Sequence, residues 1–325
     1  MILITGSSGF IGGAIAEKLQ NKGFIGLDLN PSRSVKYQEI KADIADRTSF
    51  EKLMPFGKID SIVHTVSLIS SAYCQSHPDE AFRVNVMGTL NLLEFARKHD
   101  ISRFVYISSG GIYGTTDPDA IVDEKQPPNP KGIYSTTKVS SELAVKEYCE
   151  SYSINAASLR ITAPYGPRMN GSNYPFQIPD SLHRHTLIFA IKCALSQEII
   201  MPVGGEHTIN YTYMGDIANA VVLYLESSLT GFEVFNIAGG KNYKISELGE
   251  AVKEICPELK VSIGSGDLTK GYDENDPMLS KLHIKQGLFD ISKAGRMLGF
   301  KPEYSLKDGI MELISYIHSQ IPVKL

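Results

Sequence analysis

Residues 2–12 read Ile-Leu-Ile-Thr-Gly-Ser-Ser-Gly-Phe-Ile-Gly, and the fold turns on this stretch. Its first four residues are a short apolar run, as in a strand buried in a parallel sheet. The run stops at Gly6, and Thr5–Gly12 spells T-G-x-x-G-x-x-G. From Phe10 to Lys22 the residues Ile11, Ala14, Ile15 and Leu19 recur at helical spacing, and Gly23 marks a stop. Residues 24–29 read as a second strand, which completes a β-α-β unit.

Each glycine of the turn meets a physical need. Gly6 permits the tight turn, Gly9 lets backbone approach a pyrophosphate, and Gly12 lets the helix lie close to the strand. The helix start at Ser8, Gly9, Phe10 and Ile11 offers free N–H groups and a partial positive charge to phosphates. Asp28 ends the second strand about 20 residues on, where its carboxylate suits ribose hydroxyls and repels a 2′-phosphate. The pattern therefore predicts NAD over NADP, with Arg33 close enough to blur the preference. Asp43 follows a third strand and is placed to bond the adenine amino group.

Outward from this unit the alternation continues. Ile59–Thr65, Phe104–Ser108 and Ala156–Ile161 read as strands, and Asp79–Lys98 and Tyr134–Tyr152 as helices. Such alternation predicts an α/β fold, a doubly wound parallel sheet of the Rossmann type. Past residue 165 the texture changes. Helices are predicted at Leu187–Ser196, Gly215–Glu226, Ser246–Glu254 (capped by Ser246), Ser292–Leu298 and Ser305–Ile317, with a strand at Glu233–Ile237. The expected division is a dinucleotide domain of residues 1–165 plus about 212–239. A smaller C-terminal α/β substrate lobe takes 166–211 plus 240–325, and the loops 166–185 and 264–287 are candidate lids.

Composition excludes several classes. The net charge of −4 carries no long run of one sign, so neither a nucleic-acid groove nor a polybasic membrane patch is expected. No segment reaches the ~18 apolar residues of a membrane span, and the opening residues lack a charged signal region. Cys74, Cys149, Cys193 and Cys256 are widely spaced, which reads as reduced thiols of a cytoplasmic protein. The eight histidines lack metal-ligand spacing, and no metal is expected.

The chemical signal is Tyr134-Ser135-Thr136-Thr137-Lys138. Residues i and i+4 of a helix share a face, so phenol and ammonium can enter one cleft. A neighbouring lysine cation and an oxidised nicotinamide would both stabilise phenolate, bringing the tyrosine from a pKa of about 10 toward neutrality. Tyr134 could then exchange a proton with a substrate hydroxyl. Ser108-Ser109 lies at the C-terminal edge of the sheet, where a serine hydroxyl could hold the substrate oxygen.

With these residues in place the chain resembles the extended short-chain dehydrogenase/reductase family, the sugar-nucleotide epimerases and dehydratases. Thr5–Gly12, Asp28, Asp43-Ile44, Asn85, Tyr106-Ile107-Ser108-Ser109, Tyr134–Lys138, Leu159-Arg160 and Phe235-Asn236-Ile237 carry the likeness over nearly the whole chain. The resemblance implies that Ser109, Tyr134 and Lys138 are catalytic, with Lys138 on the nicotinamide ribose. It places Ile44, Thr65, Val66, Ser67, Asn85 and Ile161 beside the cofactor. Ser109, Gly110, Tyr165, Arg168 and His183 are candidate substrate contacts. It also implies a homodimer through a four-helix contact that pairs the Tyr134 helix with the helix before it.

The chain departs from the family pattern where substrate is handled. Dehydratases of the family carry Asp-Glu directly after the catalytic hydroxyl, where Gly110 and Gly111 stand here. Ala163 replaces an asparagine, Ile209 replaces a diphosphate-gripping arginine, and Asp273-Glu274-Asn275 occupy a basic position. Arg168, His183, Arg184 and His185 are available instead. The leading expectation is an NAD-dependent epimerase of a sugar or sugar nucleotide. The alternatives are a net dehydrogenase or reductase, a dehydratase, and a non-catalytic NAD-binding protein.

Overall fold

The computed structural model describes residues 1–32, 37–169, 185–268 and 286–321. The chain opens with β1 (Ile2–Thr5), α1 (Phe10–Lys18), β2 (Phe24–Asp28), β3 (Glu39–Lys41) and β4 (Ser61–His64). Then come α2 (Ser71–Ser76), α3 (Pro78–Phe82), α4 (Gly88–Lys98), β5 (Arg103–Ser109), β6 (Ile121–Val122), α5 (Gly132–Tyr152), β7 (Asn155–Ile161) and β8 (Pro164–Tyr165). The remainder is α6 (His185–Ala194), β9 (Ile199–Met201), β10 (Thr208–Ile209), β11 (Thr212–Tyr213), α7 (Met214–Glu226) and β12 (Phe232–Ile237). It ends with β13 (Tyr243–Lys244), α8 (Ile245–Ile255), β14 (Val261–Ile263), β15 (Leu288–Phe289), α9 (Ser292–Leu298) and α10 (Leu306–Gln320).

Seven parallel strands form the main sheet in the order β12-β7-β5-β4-β1-β2-β3. The winding reverses between β1 and β4, so a crevice opens above the C-terminal ends of these strands, beside Gly6 and Thr65. Leu3, Ile62 and Phe104 bury one face of the sheet, and Ile4, Val63 and Val105 the other. That two-sided burial is why these strands read as continuous apolar runs.

A further core gathers the apolar faces of α6, α8 and α10, including Leu187, Ile191, Leu248, Val252, Ile310 and Leu313. The pairs β9 with β14, β10 with β13, β8 with β11 and β6 with β15 are only two or three residues long. Segments so short carry no period, and the sequence reading missed most of them.

Three expectations are corrected. The helix at Asp79–Lys98 is divided: a π turn at Arg83–Met87 separates α3 from α4 and carries Asn85. Ser246 does not cap its helix; it lies inside α8, and Glu247 accepts the backbone N–H of Lys244 at 2.7 Å. Two of the four cysteines are not thiols, since Cys193 on α6 and Cys256 after α8 form a disulfide with Cα atoms 6.6 Å apart. The bond closes a separation of 63 residues through α6–α8 packing, which spacing along the chain does not reveal. Cys74 and Cys149 are free and buried. Among the described residues no helix is long and apolar enough to cross a membrane, and no group of metal-ligating side chains occurs. His183, Arg184 and most of both candidate lids lie outside the described residues.

Candidate active site

The glycine turn leaves β1 with Gly6 at φ +73°, and the Gly6 carbonyl accepts the N–H of Gly9 at 2.9 Å. A Cβ on Gly12 would collide with that same carbonyl oxygen, and one on Gly6 would come within 2.6 Å of Thr65 Oγ1. Gly9 begins α1 without any side-chain cap. The first N–H groups of the helix, toward Phe10 and Ile11, are thus left without a side-chain cap at the crevice. This cradle, closed to any Cβ, fits a dinucleotide pyrophosphate.

The adenosine end is defined by carboxylates. Asp28 accepts the N–H of Ser8 at 3.2 Å and of Asn30 at 2.9 Å. Burial raises its pKa, and the neighbouring Glu39 charge adds to that. Asp43 pairs with Arg83 at 3.2 Å, while Ile44 packs where a Cβ on Gly88 would clash. Thr65 Oγ1 donates to the Thr5 carbonyl at 2.8 Å, and Val66 lies against Gly6. Ser67 follows, and its hydroxyl reaches only the Leu68 carbonyl, at 3.5 Å.

The reactive end is built on α5. Tyr134, Thr137, Lys138, Ser141 and Glu142 recur at i, i+3, i+4, i+7 and i+8, a polar stripe turned toward β5 and the π turn. Lys138 Nζ donates to the Ile107 carbonyl at 2.7 Å and sits 4.8 Å from the centre of the Tyr106 ring. Burial pulls its pKa down to about 7, against the opposing charge of Glu142. Tyr134 meets the Ser109 hydroxyl, which favours its phenolate, yet burial dominates and pushes the phenol up to about 12. The chain's own groups therefore keep Tyr134 protonated at neutral pH. The lowering expected from the sequence has to come from the positive ring of oxidised NAD.

Ser109 ends β5 and accepts the N–H of Gly111 at 3.1 Å, which orients its hydroxyl. Ile161, at the end of β7, is its neighbour in the sheet. Gly110 is walled in: a Cβ there would lie 2.8 Å from both Phe289 and Thr162. Asn85 is a tie between elements. Its Oδ1 accepts the Leu68 N–H at 2.7 Å and its Nδ2 donates to Thr137 Oγ1 at 2.9 Å. The Asn85 carbonyl also accepts hydrogen bonds from Thr89 and Ser141.

Other candidates are not brought to Ser109. Tyr165 lies in an aromatic cluster with Tyr211 and Tyr213, its ring against Gly309 of α10. Arg168 folds over Gly13 and pairs with Glu17 of α1. His185 is wholly buried at the start of α6, near the Phe189 ring.

Two groups escaped the sequence reading. His64 lies buried between Thr5 Oγ1 at 2.8 Å and Thr89 Oγ1 at 3.0 Å, and burial drops its pKa to about 3, so it is neutral. Glu142 is buried with Arg160, which also donates to the Tyr113 hydroxyl at 2.7 Å, while Ser158 donates to Glu142 at 2.6 Å. The polar stripe of α5 was the available signal for Glu142; nothing local marks His64.

The profile of the NAD dependent epimerase/dehydratase family matches residues 2–238. A Methanocaldococcus jannaschii protein provisionally named UDP-glucose 4-epimerase is 32% identical over 331 residues, 98% of each chain. A dTDP-glucose 4,6-dehydratase of Streptomyces niveus is 25% identical over 343 residues, covering 97% of this chain and 92% of that one. The solved Thermus thermophilus UDP-glucose 4-epimerase in complex with NAD superposes with a TM-score of 0.80 at 25% identity, over 98% of this chain and 99% of that one.

Proposed function

Because the chain belongs to the NAD dependent epimerase/dehydratase family, we propose that it is an NAD-dependent 4-epimerase of a UDP-sugar. The observation that carries this reading is the meeting of Ser109 and Tyr134 at the end of β5, over the buried Lys138. Bound NAD supplies the place to which hydride leaves the sugar and from which it returns.

The residues divide the remaining work. Ser109 holds the sugar hydroxyl, and Tyr134 takes its proton as the carbon becomes a ketone. After the ketone turns over, Tyr134 returns the proton to the other epimer. Lys138 holds the nicotinamide ribose, one helical turn from Tyr134 on the same face of α5. Asn85 and His64 keep the floor of the cleft fixed without themselves titrating near neutral pH.

Gly110 argues against a dehydratase. An acid at this position, the first of the dehydratase pair, would have to displace Phe289 or Thr162. Gly110 and Gly111 thus offer no side chain for the proton chemistry of removing water at the neighbouring carbon. We further place α4 and α5 in a homodimer contact, supported by the large apolar side chains of Met87, Leu143 and Tyr152 left exposed around these helices.

The test is direct. Purified protein is incubated with NAD and with UDP-glucose, UDP-glucuronate or UDP-N-acetylglucosamine. The sugars are separated by chromatography while the absorbance of reduced nicotinamide is followed. Interconversion of 4-epimers without steady accumulation supports the reading. Steady accumulation means a net dehydrogenase, and a 4-keto-6-deoxy product means a dehydratase.

A further inference from the structure

The sequence assigns cofactor choice to Asp28 alone, yet a second carboxylate stands beside it. Glu39 begins β3, opposite Gly26 of β2. Three donors converge on its side chain: the hydroxyls of Ser7 and Ser8 and the backbone N–H of Ser32. Ser8 Oγ lies 2.7 Å and Ser32 N 3.0 Å from Glu39 Oε2. Ser7 and Ser8 are the two residues between the first glycines of the turn, and the Ser8 N–H donates to Asp28. The room for this arrangement is specific, because a Cβ on Gly26 would come within 2.5 Å of Ser7 Oγ. Tyr37 closes the group by donating to the Ser7 carbonyl at 2.6 Å.

Hydroxyls and an N–H converging on an anion, at the outer end of a glycine turn and next to the ribose carboxylate, form a small anion nest. A phosphate on the adenosine 2′-oxygen would seek such donors. Here they are already taken by an anion of the protein. We propose that Glu39 is a specificity-determining residue that excludes NADP. It fills the donors a 2′-phosphate would use and places a second negative charge beside Asp28. Rejection of the wrong cofactor is thereby built from an occupied site as well as from repulsion. This goes beyond the role of Asp28 and needs no assumption about the sugar.

The experiment is calorimetric titration of NAD and NADP into the full chain and into Glu39→Gln and Glu39→Ala, with thermal melting to confirm folding. Wild-type protein is expected to prefer NAD. Glu39→Ala, which takes the carboxylate away from the Ser7 and Ser8 hydroxyls and removes the charge, should narrow the NAD:NADP affinity ratio at least tenfold through tighter NADP binding. Glu39→Gln, which keeps the shape and removes the charge, should narrow it less. If Glu39→Ala fails to fold, a narrowed ratio in Glu39→Gln alone carries the proposal. A folded variant that loses affinity for both nucleotides alike, or keeps the wild-type ratio, overturns it, since a purely structural role would move both together. Wild-type protein that takes up neither nucleotide would refute the functional reading instead, a distinguishable result.

Discussion

Around Gly6, Gly9 and Gly12 the working surface is backbone; along α5 it is side chain. The turn works because atoms are missing: a Cβ at Gly12 has nowhere to go, and α1 starts with uncapped N–H groups. The stripe on α5 works because partners are present, and those partners come from far along the chain. Ser109 serves Tyr134, Ile107 holds Lys138, and Arg160 neutralises Glu142. One region should therefore fail when an atom is added, the other when a partner is removed.

The largest effect is expected on α5. Tyr134→Phe removes one oxygen and the proton it exchanges, so kcat should fall by about 10²–10⁴ with the melting temperature little changed. Steady-state epimerisation checks this, and residual activity above a tenth of wild type would break the assignment. Next comes the pair beneath it. Arg160→Met strands the Glu142 carboxylate in the core and should cost about 3–5 kcal/mol in urea unfolding. Adding Glu142→Leu should recover most of that loss, because a missing pair costs less than a widowed charge. In the turn, Gly12→Ala should cost about 1–3 kcal/mol and weaken NAD binding at least tenfold by calorimetry. Full affinity in that variant would mean that the turn is not closed to a Cβ.

Stability should also depend on pH, since α5 buries Lys138, and His64 of β4 is buried within reach of that charge. His64 titrates at about 3 in the folded chain, against 6.5 when unfolded. Between these values the unfolded state binds more protons, so stability falls as pH drops from 6.5 toward 3. Lys138 behaves likewise higher up: folded at about 7 against 10.5 unfolded, it makes stability rise with pH across that window. Urea midpoints for His64→Asn should therefore slope less on the acid side. Those for Lys138→Met should exceed wild type near pH 7, with the excess shrinking toward 10.5. Parallel curves for variants and wild type would remove burial as the cause. The smallest effect belongs to α8, where Glu247→Ala should cost about 1 kcal/mol and Ser246→Ala less than about 0.5.

The same contrast explains what could be read in advance. A backbone requirement leaves a local trace, so Gly6, Gly9, Gly12 and Asp28 announce a parallel sheet and a dinucleotide turn from the sequence. Tyr134 and Lys138 are legible because one helical turn links them. The partners of α5 are not, because Ile107 reaches Lys138 and Arg160 reaches Glu142 only after the sheet is assembled. The disulfide and the two-residue ribbons were hidden for the same reason. Tyr165 and Arg168 stand out in the sequence, but only the assembled fold shows that they pack toward α10 and α1.

In the proposed reaction a hydride leaves one face of the sugar and returns to the other while a single tyrosine minds the proton. A UDP-sugar carrying deuterium at the C4 carbon tests this most directly, with both epimers recovered and examined by mass spectrometry. Full retention of deuterium in both, in ordinary water, is the predicted result. Deuterium lost to solvent in either epimer would contradict it.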